Sequence, residues 1–192
     1  MTPIATEPLT PDRWNDVQRV FAGGGDGTSC QCVWPVLRNA DFSRTSREEK
    51  ERLFRDEVEG SVPPGLLVYV DDDPAGWVRV GPRDPQRRLA HTRGLPEASA
   101  HPFDDPAIWA ITCFSITRDH RREGLMAALL DAAIDHARRR GARVLEAYPR
   151  DPSARKTSSN ALFVGSLPTF LAAGFEQVAP LGSSRTVVQL AL

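Results

Sequence analysis

Apolar and polar positions change their spacing in the middle of the chain, from the pattern of a buried strand to that of an amphipathic helix. Residues 109–116 are nearly all apolar or small, and several are β-branched, which predicts a strand covered on both faces. From Leu125 onward the apolar residues recur at helical spacing, and Gly141 ends the predicted helix. The turn between the two elements is rich in arginine and contains Gly124.

The same patterns predict further elements on both sides of this unit. They are a strand at 4–10, a helix that begins after Thr10, a helix over about 46–58 capped by Thr45 or Ser46, a hairpin of strands 65–70 and 76–80, a strand at 143–148, a short helix that ends at Gly174, and a closing hairpin of strands 175–179 and 186–190. A glycine run at 23–27 lacks the Gly-Lys-Ser/Thr ending of a nucleotide P-loop, and we interpret it as a flexible connection.

Two polar stretches, at about 82–106 and 151–166, interrupt this order. Connections of this length in compact domains are usually functional loops or disordered insertions. We expect the first to be a partly ordered lid with one helical turn near 86–90. The chain is long enough for one substantial core, so we predict a single domain over residues 1–192, of the α/β class, with a mixed sheet flanked by helices.

Charge and composition exclude several classes of partner. The net charge is −1, and the basic residues cluster at 118–122 and 138–143, which favours a small anionic ligand over nucleic acid. The first twenty residues contain no uninterrupted apolar run, so neither a signal peptide nor a membrane span is predicted, and we expect a cytoplasmic location. The preference for arginine, alanine and proline suggests a GC-rich bacterial source.

Three cysteines are expected to remain thiols, because they are an odd number in a reducing compartment. Cys30 and Cys32 have the wrong spacing and too few companions for a closed zinc site, so no metal is expected. We expect these two thiols to be structural or to line a pocket. Cys113 lies on the buried strand and is expected in the core, since no histidine partner for a nucleophile is identifiable.

The basic turn suits a phosphorylated ligand. Free backbone amides at the start of a helix bind phosphate oxygens, and Gly124 permits close approach to the backbone. Arg118, Arg121 and Arg122 add forked donors that match phosphate geometry. The alternatives are a solvated basic loop that caps an ordinary helix, and a nucleotide site at the same helix end. The succession of strand, turn, helix and strand favours a phosphate site over the bare loop.

The segment 121–126, Arg-Arg-Glu-Gly-Leu-Met, resembles the Arg/Gln-x-x-Gly-x-Gly/Ala signature of the GNAT superfamily of acetyl-CoA-dependent N-acetyltransferases. The order of predicted elements is similar to the whole GNAT core, which implies a mostly antiparallel central sheet. Met126 departs from the signature, so its side chain must turn away from the phosphates. The resemblance implies main-chain bonds from strand residues to pantetheine and signature residues around the pyrophosphate. The residues it places at the coenzyme are Phe114, Ile116, Arg121, Arg122, Gly124 and Met126.

The resemblance implies that an amine attacks acetyl-CoA directly in a ternary complex. The expected acceptor is a small molecule, with a peptide as the second choice. Many members use a tyrosine four residues before a Gly-Phe pair to protonate the departing thiolate, but Phe170 occupies that position here. This departure keeps open a noncatalytic acyl-CoA-binding regulatory module as the alternative.

The predicted strand at 143–148 carries two residues that could move the protons of the reaction in place of the missing tyrosine. Glu146 and Tyr148 lie two residues apart and so share a face, where the carboxylate can accept the amine proton and the phenol can donate to sulfur. An ion-paired strand residue and a buried aromatic are the structural alternatives. Trp34 and Trp77 are expected to form an apolar wall for the substrate, with core packing as the alternative. The apolar closing strand, 186–192, suits a homodimer.

Overall fold

A seven-stranded sheet runs through the computed structural model, which describes residues 3–152 and 163–192. The strands are β1 (Ile4–Pro8), β2 (Gly65–Val70), β3 (Asp73–Pro82), β4 (Ile108–Ile116), β5 (Val144–Ala147), β6 (Glu176–Leu181) and β7 (Arg185–Ala191). Their order in the sheet is β1-β2-β3-β4-β5-β7-β6, and only the β4–β5 pair among these neighbours is parallel. The predicted α/β fold with a mixed, mostly antiparallel sheet is confirmed.

Helices cover both faces of the sheet. They are α1 (Trp14–Ala22), α2 (Gly27–Cys30), α3 (Asn39–Arg44), α4 (Arg47–Val58), α5 (Leu95–Ala98), α6 (Leu125–Arg139) and α7 (Leu167–Ala172). One apolar cluster packs α6 against β2, β3, β4 and β5, and a second packs α1 and α4 against the opposite face of β2 and β3. The central strands are therefore buried on both sides, as their continuous apolar sequence predicts.

The two helix starts at the N-terminal side differ in how they are capped. Ser46 begins α4 with a capping box, in which its hydroxyl accepts from the Glu49 amide at 3.2 Å and the Glu49 carboxylate accepts from the Ser46 amide at 2.8 Å. Thr10 instead precedes a short 3-10 turn, Pro11–Arg13, and its side chain makes no capping hydrogen bond. The helix predicted to begin directly after Thr10 therefore begins later, at the start of α1.

The β2–β3 hairpin is tighter than predicted. Asp71 and Asp72 both adopt left-handed backbone conformations, with φ of 49° and 65°. Two successive left-handed residues form the two-residue turn that best matches the twist of paired strands. The five-residue turn predicted at 71–75 is therefore too long, and β3 begins at Asp73.

The insertion at 82–106 forms an ordered layer over the sheet. It contains a 3-10 turn, Leu89–His91, close to the predicted helical turn, and it also contains α5, which the sequence did not predict. Leu89 and Leu95 are buried in an apolar cluster with residues of β4, β6 and β7. Most of the second insertion, 151–166, lies outside the described residues.

A break in strand pairing opens the middle of the sheet. The β4–β5 register ends at the pair Ile111 and Ala147. On the β3 side, Thr112 is an extra residue between the pairs Arg79–Cys113 and Val80–Ile111, which is a β-bulge. A bulge bends its strand, so the rest of β4 presents an unpaired edge towards β5. The cavity described below lies along this part of β4.

His136 on α6 makes the stability of this fold depend on pH. Its side chain is buried, and Nε2 has no hydrogen-bond partner within the described part of the chain. Burial, reinforced by the charges of Arg140 and Arg139, lowers the pKa of His136 to about 4. The folded state therefore binds this proton more weakly than the unfolded state, whose histidine pKa is about 6.5. The stabilisation is complete above about pH 6.5 and is lost as the pH falls towards about 4.

We expect wild-type protein to lose about 2–3 kcal/mol of unfolding free energy between about pH 7 and pH 4 through this one group. His136→Gln removes the titration, so its unfolding free energy should fall less over the same interval. Urea unfolding at several pH values measures the difference, with His91→Gln, at an exposed histidine, as the control. Parallel pH dependence in all three proteins would contradict the assignment.

Candidate coenzyme and acceptor site

The arginine-rich turn presents a row of backbone amides at the start of α6. Arg122 and Gly124 are left-handed, with φ of 71° and 79°. In the described part of the chain, no group accepts a hydrogen bond from the amides of residues 122–126. Backbone amides in such a turn converge on one point and form an anion-binding nest, here at the positive end of a 15-residue helix. The turn is therefore built to hold an anion such as a phosphate.

A cavity of about 730 Å³ lies beside this row of amides. Its walls combine the turn, the unpaired edge of β4, and the segment between α1 and α3. The structure brings all six residues predicted at the coenzyme to this cavity, together with Trp34 from the predicted substrate wall. Those residues are Trp34, Phe114, Ile116, Arg121, Arg122, Gly124 and Met126.

Two positions in the signature fit a ligand held against the backbone. A Cβ atom built on Gly124 would meet no atom within 4 Å, so the space beside its amide is open. The Met126 side chain is partly buried and packs against the core on the α6 side of the sheet. The thioether therefore has apolar contacts within the protein, and Met126 also lines the cavity.

The glycine run at 23–27 takes part in the site, although the sequence indicated only a flexible connection. A Cβ atom on Gly24 would lie 3.1 Å from Arg121 Nη2 and 3.1 Å from Arg118 Cγ. The carbonyl of Gly23 also accepts a hydrogen bond from the Arg118 amide at 3.1 Å. Glycine suits this position because residues with a side chain rarely adopt the φ of 145° found at Gly24, and both arginine side chains pack close to its backbone. The run of glycines itself could have indicated this role, because glycines also occur where other groups pack closely on the backbone.

The two tryptophans predicted at the substrate wall have different positions. Trp34 lines the cavity, where its ring lies 5.8 Å from that of Phe163, and the Arg88 guanidinium lies 4.2 Å above it. Trp77 is fully buried and does not line the cavity. Its indole packs in the α1–α4 core, and its Nε1 donates to Cys32 Sγ at 3.1 Å. Trp77 therefore lies behind the cavity wall, where it contacts Cys32 and Phe21.

All three thiols line the cavity. For Cys30 and Cys32 this agrees with one of the two expectations. Cys113 packs against the α1–α4 core, as expected, and it is also half-buried at the cavity wall. The bulge at Thr112 contributes to this position, because one extra residue changes which side chains of β4 face the cavity.

Glu146 and Tyr148 belong to a separate polar cluster. The Tyr148 hydroxyl donates to Glu146 Oε1 at 2.5 Å, so both side chains project from one face. Arg83 Nη1 lies 3.2 Å from each carboxylate oxygen, and Ser99 Oγ and Gln189 Nε2 donate to Oε2 at 2.9 and 2.8 Å. Burial and the Glu146 charge raise the pKa of Tyr148 well above its ordinary value.

This placement argues against the catalytic roles expected for Glu146 and Tyr148. Glu146 is fully buried with donors on both oxygens, and it borders a separate cavity of about 150 Å³. Arg83 also donates to the carbonyls of His101, at 3.1 Å, and Pro102. The cluster therefore ties the insertion at 82–106 to β5. None of residues 82–106, all of which are described, lines the larger cavity, so the expected lid covers the sheet instead.

Phe170, which stands where the resemblance implies a tyrosine, is fully buried. Its ring centroid lies 6.1 Å from that of Phe114 and 5.0 Å from that of Phe175. The side chain packs beneath the strand that borders the cavity and has no proton to donate.

The described residues show neither of two features that would indicate another class of protein, a membrane-spanning helix or a metal-binding cluster. Within residues 3–152 and 163–192, none of the helices combines the length and apolar character needed to cross a bilayer. In those same ranges, histidine, cysteine and acidic side chains do not gather in threes at a point that would hold a metal ion.

The chain shares its split sheet with solved structures of acetyltransferases at 18%, 12% and 16% sequence identity. The chain belongs to the acetyltransferase (GNAT) family, because the model of that family matches residues 34–157, more than half of the chain. Acetyl transfer is the activity that this membership supports. No curated protein matches the chain in sequence.

Solved structures of low sequence identity share the fold over nearly the whole chain. The structure of yncA from Salmonella typhimurium with its cofactor acetyl-CoA has a TM-score of 0.58 and 16% identity, and the match covers 98% of this chain and 94% of that one. PaiA N-acetyltransferase from Thermoplasma acidophilum in complex with coenzyme A gives 0.57, 12% identity and 99% coverage of both chains. Ribosomal-protein-alanine N-acetyltransferase from Brucella melitensis gives 0.56, 16% identity, and 98% and 99% coverage.

Proposed function

We propose that this chain transfers the acetyl group of acetyl-CoA to an amine of a small molecule by direct attack in a ternary complex. A peptide amine is the second choice of acceptor. The observation that carries the proposal is the row of amides at residues 122–126, which have no acceptor among the described residues, beside Arg121 and Arg122 at the wall of one large cavity. Acetyl-CoA supplies an activated acyl group, and the residues of this chain hold and orient it.

The residues at the cavity fit the successive parts of the coenzyme. The amides of residues 122–126 and the two arginines would hold the diphosphate, because charge-assisted bonds from amides and guanidinium groups suit phosphate oxygens. Phe114 and Ile116 lie on the unpaired edge of β4 and would bond pantetheine through their main chains. The open space at Gly124 leaves room for this approach.

The remaining walls suit an acceptor with an apolar body and an amine. Trp34, Phe42 and Phe163 contribute aromatic surface to the cavity, which favours an apolar or aromatic group. Asp26 also lines the cavity and offers a carboxylate to a cationic amine before its deprotonation. We propose a small aromatic or aliphatic amine as the acceptor class.

A noncatalytic acyl-CoA-binding regulatory module is the second candidate. The observation that favours it is the phenyl ring of Phe170, which is buried where many relatives carry a hydroxyl. Both candidates predict binding of coenzyme A. They differ in turnover, which only the enzyme shows.

Calorimetric titration followed by turnover measurement tests the proposal. We expect saturable binding of coenzyme A and acetyl-CoA, and weaker binding of ATP and NAD. Incubation with acetyl-CoA and a panel of amines, analysed by mass spectrometry, should yield an acetylated amine and free coenzyme A in equal amounts. Binding without product from any amine would favour the regulatory module. No binding at about 1 mM coenzyme, where affinity would be weaker than about 4 kcal/mol, would contradict both candidates.

The outer edge of the sheet suits a contact between two copies of the chain. β6 is an edge strand, and Val178 on it is 40% exposed. Apolar exposure on an edge strand favours pairing with another chain. We therefore propose a homodimer that pairs through this edge, acting in the bacterial cytoplasm, and light scattering of the purified protein measures the number of chains.

A further inference from the structure

Cys32 sits in a backbone conformation that few residues adopt. Gln31 and Cys32 are both left-handed, with φ of 48° and 53°. Such conformations persist only where the surroundings enforce them, and they concentrate at functional sites. Two contacts enforce them here: the Gln31 amide group pairs with that of Gln18 at 2.8 and 3.2 Å, and Arg79 Nη1 donates to the Cys32 carbonyl at 3.0 Å. The strained turn fixes Cys32 at the cavity wall.

Polar groups from two strands surround the sulfur of Cys32. Trp77 Nε1, on β3, donates to Sγ at 3.1 Å. The thiol of Cys113, on β4, interacts with the same sulfur, and it also lies 3.8 Å from the Phe114 carbonyl oxygen. The Arg79 guanidinium lies beside them, held by two hydrogen bonds of 2.7 and 2.9 Å to the Glu57 carboxylate of α4. A neutral thiol needs no such set of donors, whereas a thiolate does.

The same contacts separate the proton affinities of the two thiols. Burial pushes the pKa of Cys32 upward, but the hydrogen bond from Cys113, the Arg79 charge and the Trp77 hydrogen bond outweigh it and lower that pKa to about 7, against the opposing charge of Glu57. Donation to Cys32, together with burial, raises the pKa of Cys113 well above its ordinary value. Neighbouring groups whose proton affinities are driven apart suit an acid and a base.

We propose that Cys32 and Cys113 are the acid–base pair of the acetyl transfer, with Cys113 as the proton donor that Phe170 does not supply. Cys32 accepts the proton of the amine nitrogen as the bond from nitrogen to the acetyl carbon forms. Cys113 gives its proton to the sulfur that departs as the bond from carbon to sulfur breaks. The proton on Cys32 then passes to Cys113 across the contact between the two sulfurs, which restores both groups. The inference rests on the proposed function and names the residues that move its protons.

Thiolate absorbance in the ultraviolet tests the state of Cys32 without any substrate. We expect the difference between wild type and Cys32→Ser to titrate with a midpoint near pH 7, far below that of Cys30, whose pKa is raised to about 11 by burial and the neighbouring Cys32 charge. Cys30→Ser serves as the control and should leave the midpoint near pH 7 in place. A midpoint above about pH 9, that of an ordinary or merely buried thiol, would overturn the pair.

Variants at Cys113 separate a hydrogen-bond donor from a structural thiol. Cys113→Ala removes the donor, so the Cys32 midpoint should rise by about one pH unit or more. Cys113→Ser keeps a donor of similar size and should leave the midpoint close to the wild-type value. Equal midpoints in the two variants would overturn the assigned contact, whichever variant is the less stable.

Turnover with an amine found in the panel provides the kinetic test. Cys32→Ser should lower kcat by about 100-fold or more, while the affinity for coenzyme A measured by calorimetry is retained. The wild-type rate should also fall on the acidic side of about pH 7, where Cys32 becomes protonated. Undiminished kcat in Cys32→Ser would overturn the pair alone. A wild-type protein that binds coenzyme A and acetylates no amine would instead overturn the proposed function.

Discussion

Gly124→Ala is expected to weaken the binding of coenzyme A by about 10- to 100-fold, which corresponds to the loss of charge-assisted hydrogen bonds worth about 1.5–3 kcal/mol. The added methyl group would meet no atom of residues 3–152 or 163–192 within 4 Å, so it clashes with none of them in the free protein. It would project into the open space beside the amides of residues 122–126. Phosphate oxygens held at that point would have to move away from the backbone.

A matched control separates this effect from the cost of a left-handed alanine. Gly94 precedes α5 with φ of 80°, against 79° for Gly124 before α6, and a Cβ atom there also meets nothing within 4 Å. Both alanine variants should therefore lose about 1–2 kcal/mol of unfolding free energy. Only Gly124→Ala should change the dissociation constant for coenzyme A in calorimetry. Equal affinities in the two variants would show that the row of amides does not hold the coenzyme.

The success of sequence patterns in this chain depended on how long each pattern runs. β4 and α6 were placed almost to the residue, because nine and fifteen residues carry several repeats of their spacing. α2 and α5 each have four residues, hardly more than one turn, and were missed. A single turn has no apolar periodicity to detect, and tertiary contacts stabilise it instead. Leu95, the buried residue of α5, makes such a contact.

The coenzyme side of the site could be predicted from the sequence better than the side around Cys32, for a related reason. The coenzyme side is continuous in sequence, from Phe114 to Met126, so one motif contains the strand, the turn and the helix start. The contact between Cys32 and Trp77 instead joins residues 45 positions apart, and no local sequence pattern predicts it. Residue type alone also could not predict that Trp34 lies at the cavity and Trp77 in the core, because both are tryptophan. Contacts between residues distant in sequence, and the bulge that turns Cys113 toward the cavity, could be found only in the structure.

Glu146→Gln is expected to lower the free energy of unfolding by about 3–5 kcal/mol, because removing one partner of a buried ion pair leaves the other charge without compensation. Arg83 is 1% exposed and Glu146 fully buried, so neither charge can be screened by water when its partner is removed. Asp135→Asn provides the matched control at an exposed pair, Arg138–Asp135, where the loss should be below about 1 kcal/mol. Urea unfolding measures both losses.

A double variant shows whether the loss comes from the pair itself. Arg83→Met combined with Glu146→Gln removes both charges together, so its loss should be clearly smaller than the sum of the two single losses. The affinity for coenzyme A should stay at the wild-type value in Arg83→Met, in Glu146→Gln and in the double variant, because neither residue lines the larger cavity. If Glu146→Gln kept full stability and lost acetyl transfer, the carboxylate would return to the catalytic role that the sequence first indicated. Loss of stability with unchanged turnover per folded molecule would instead place Glu146 in the anchor that holds residues 82–106 on the sheet.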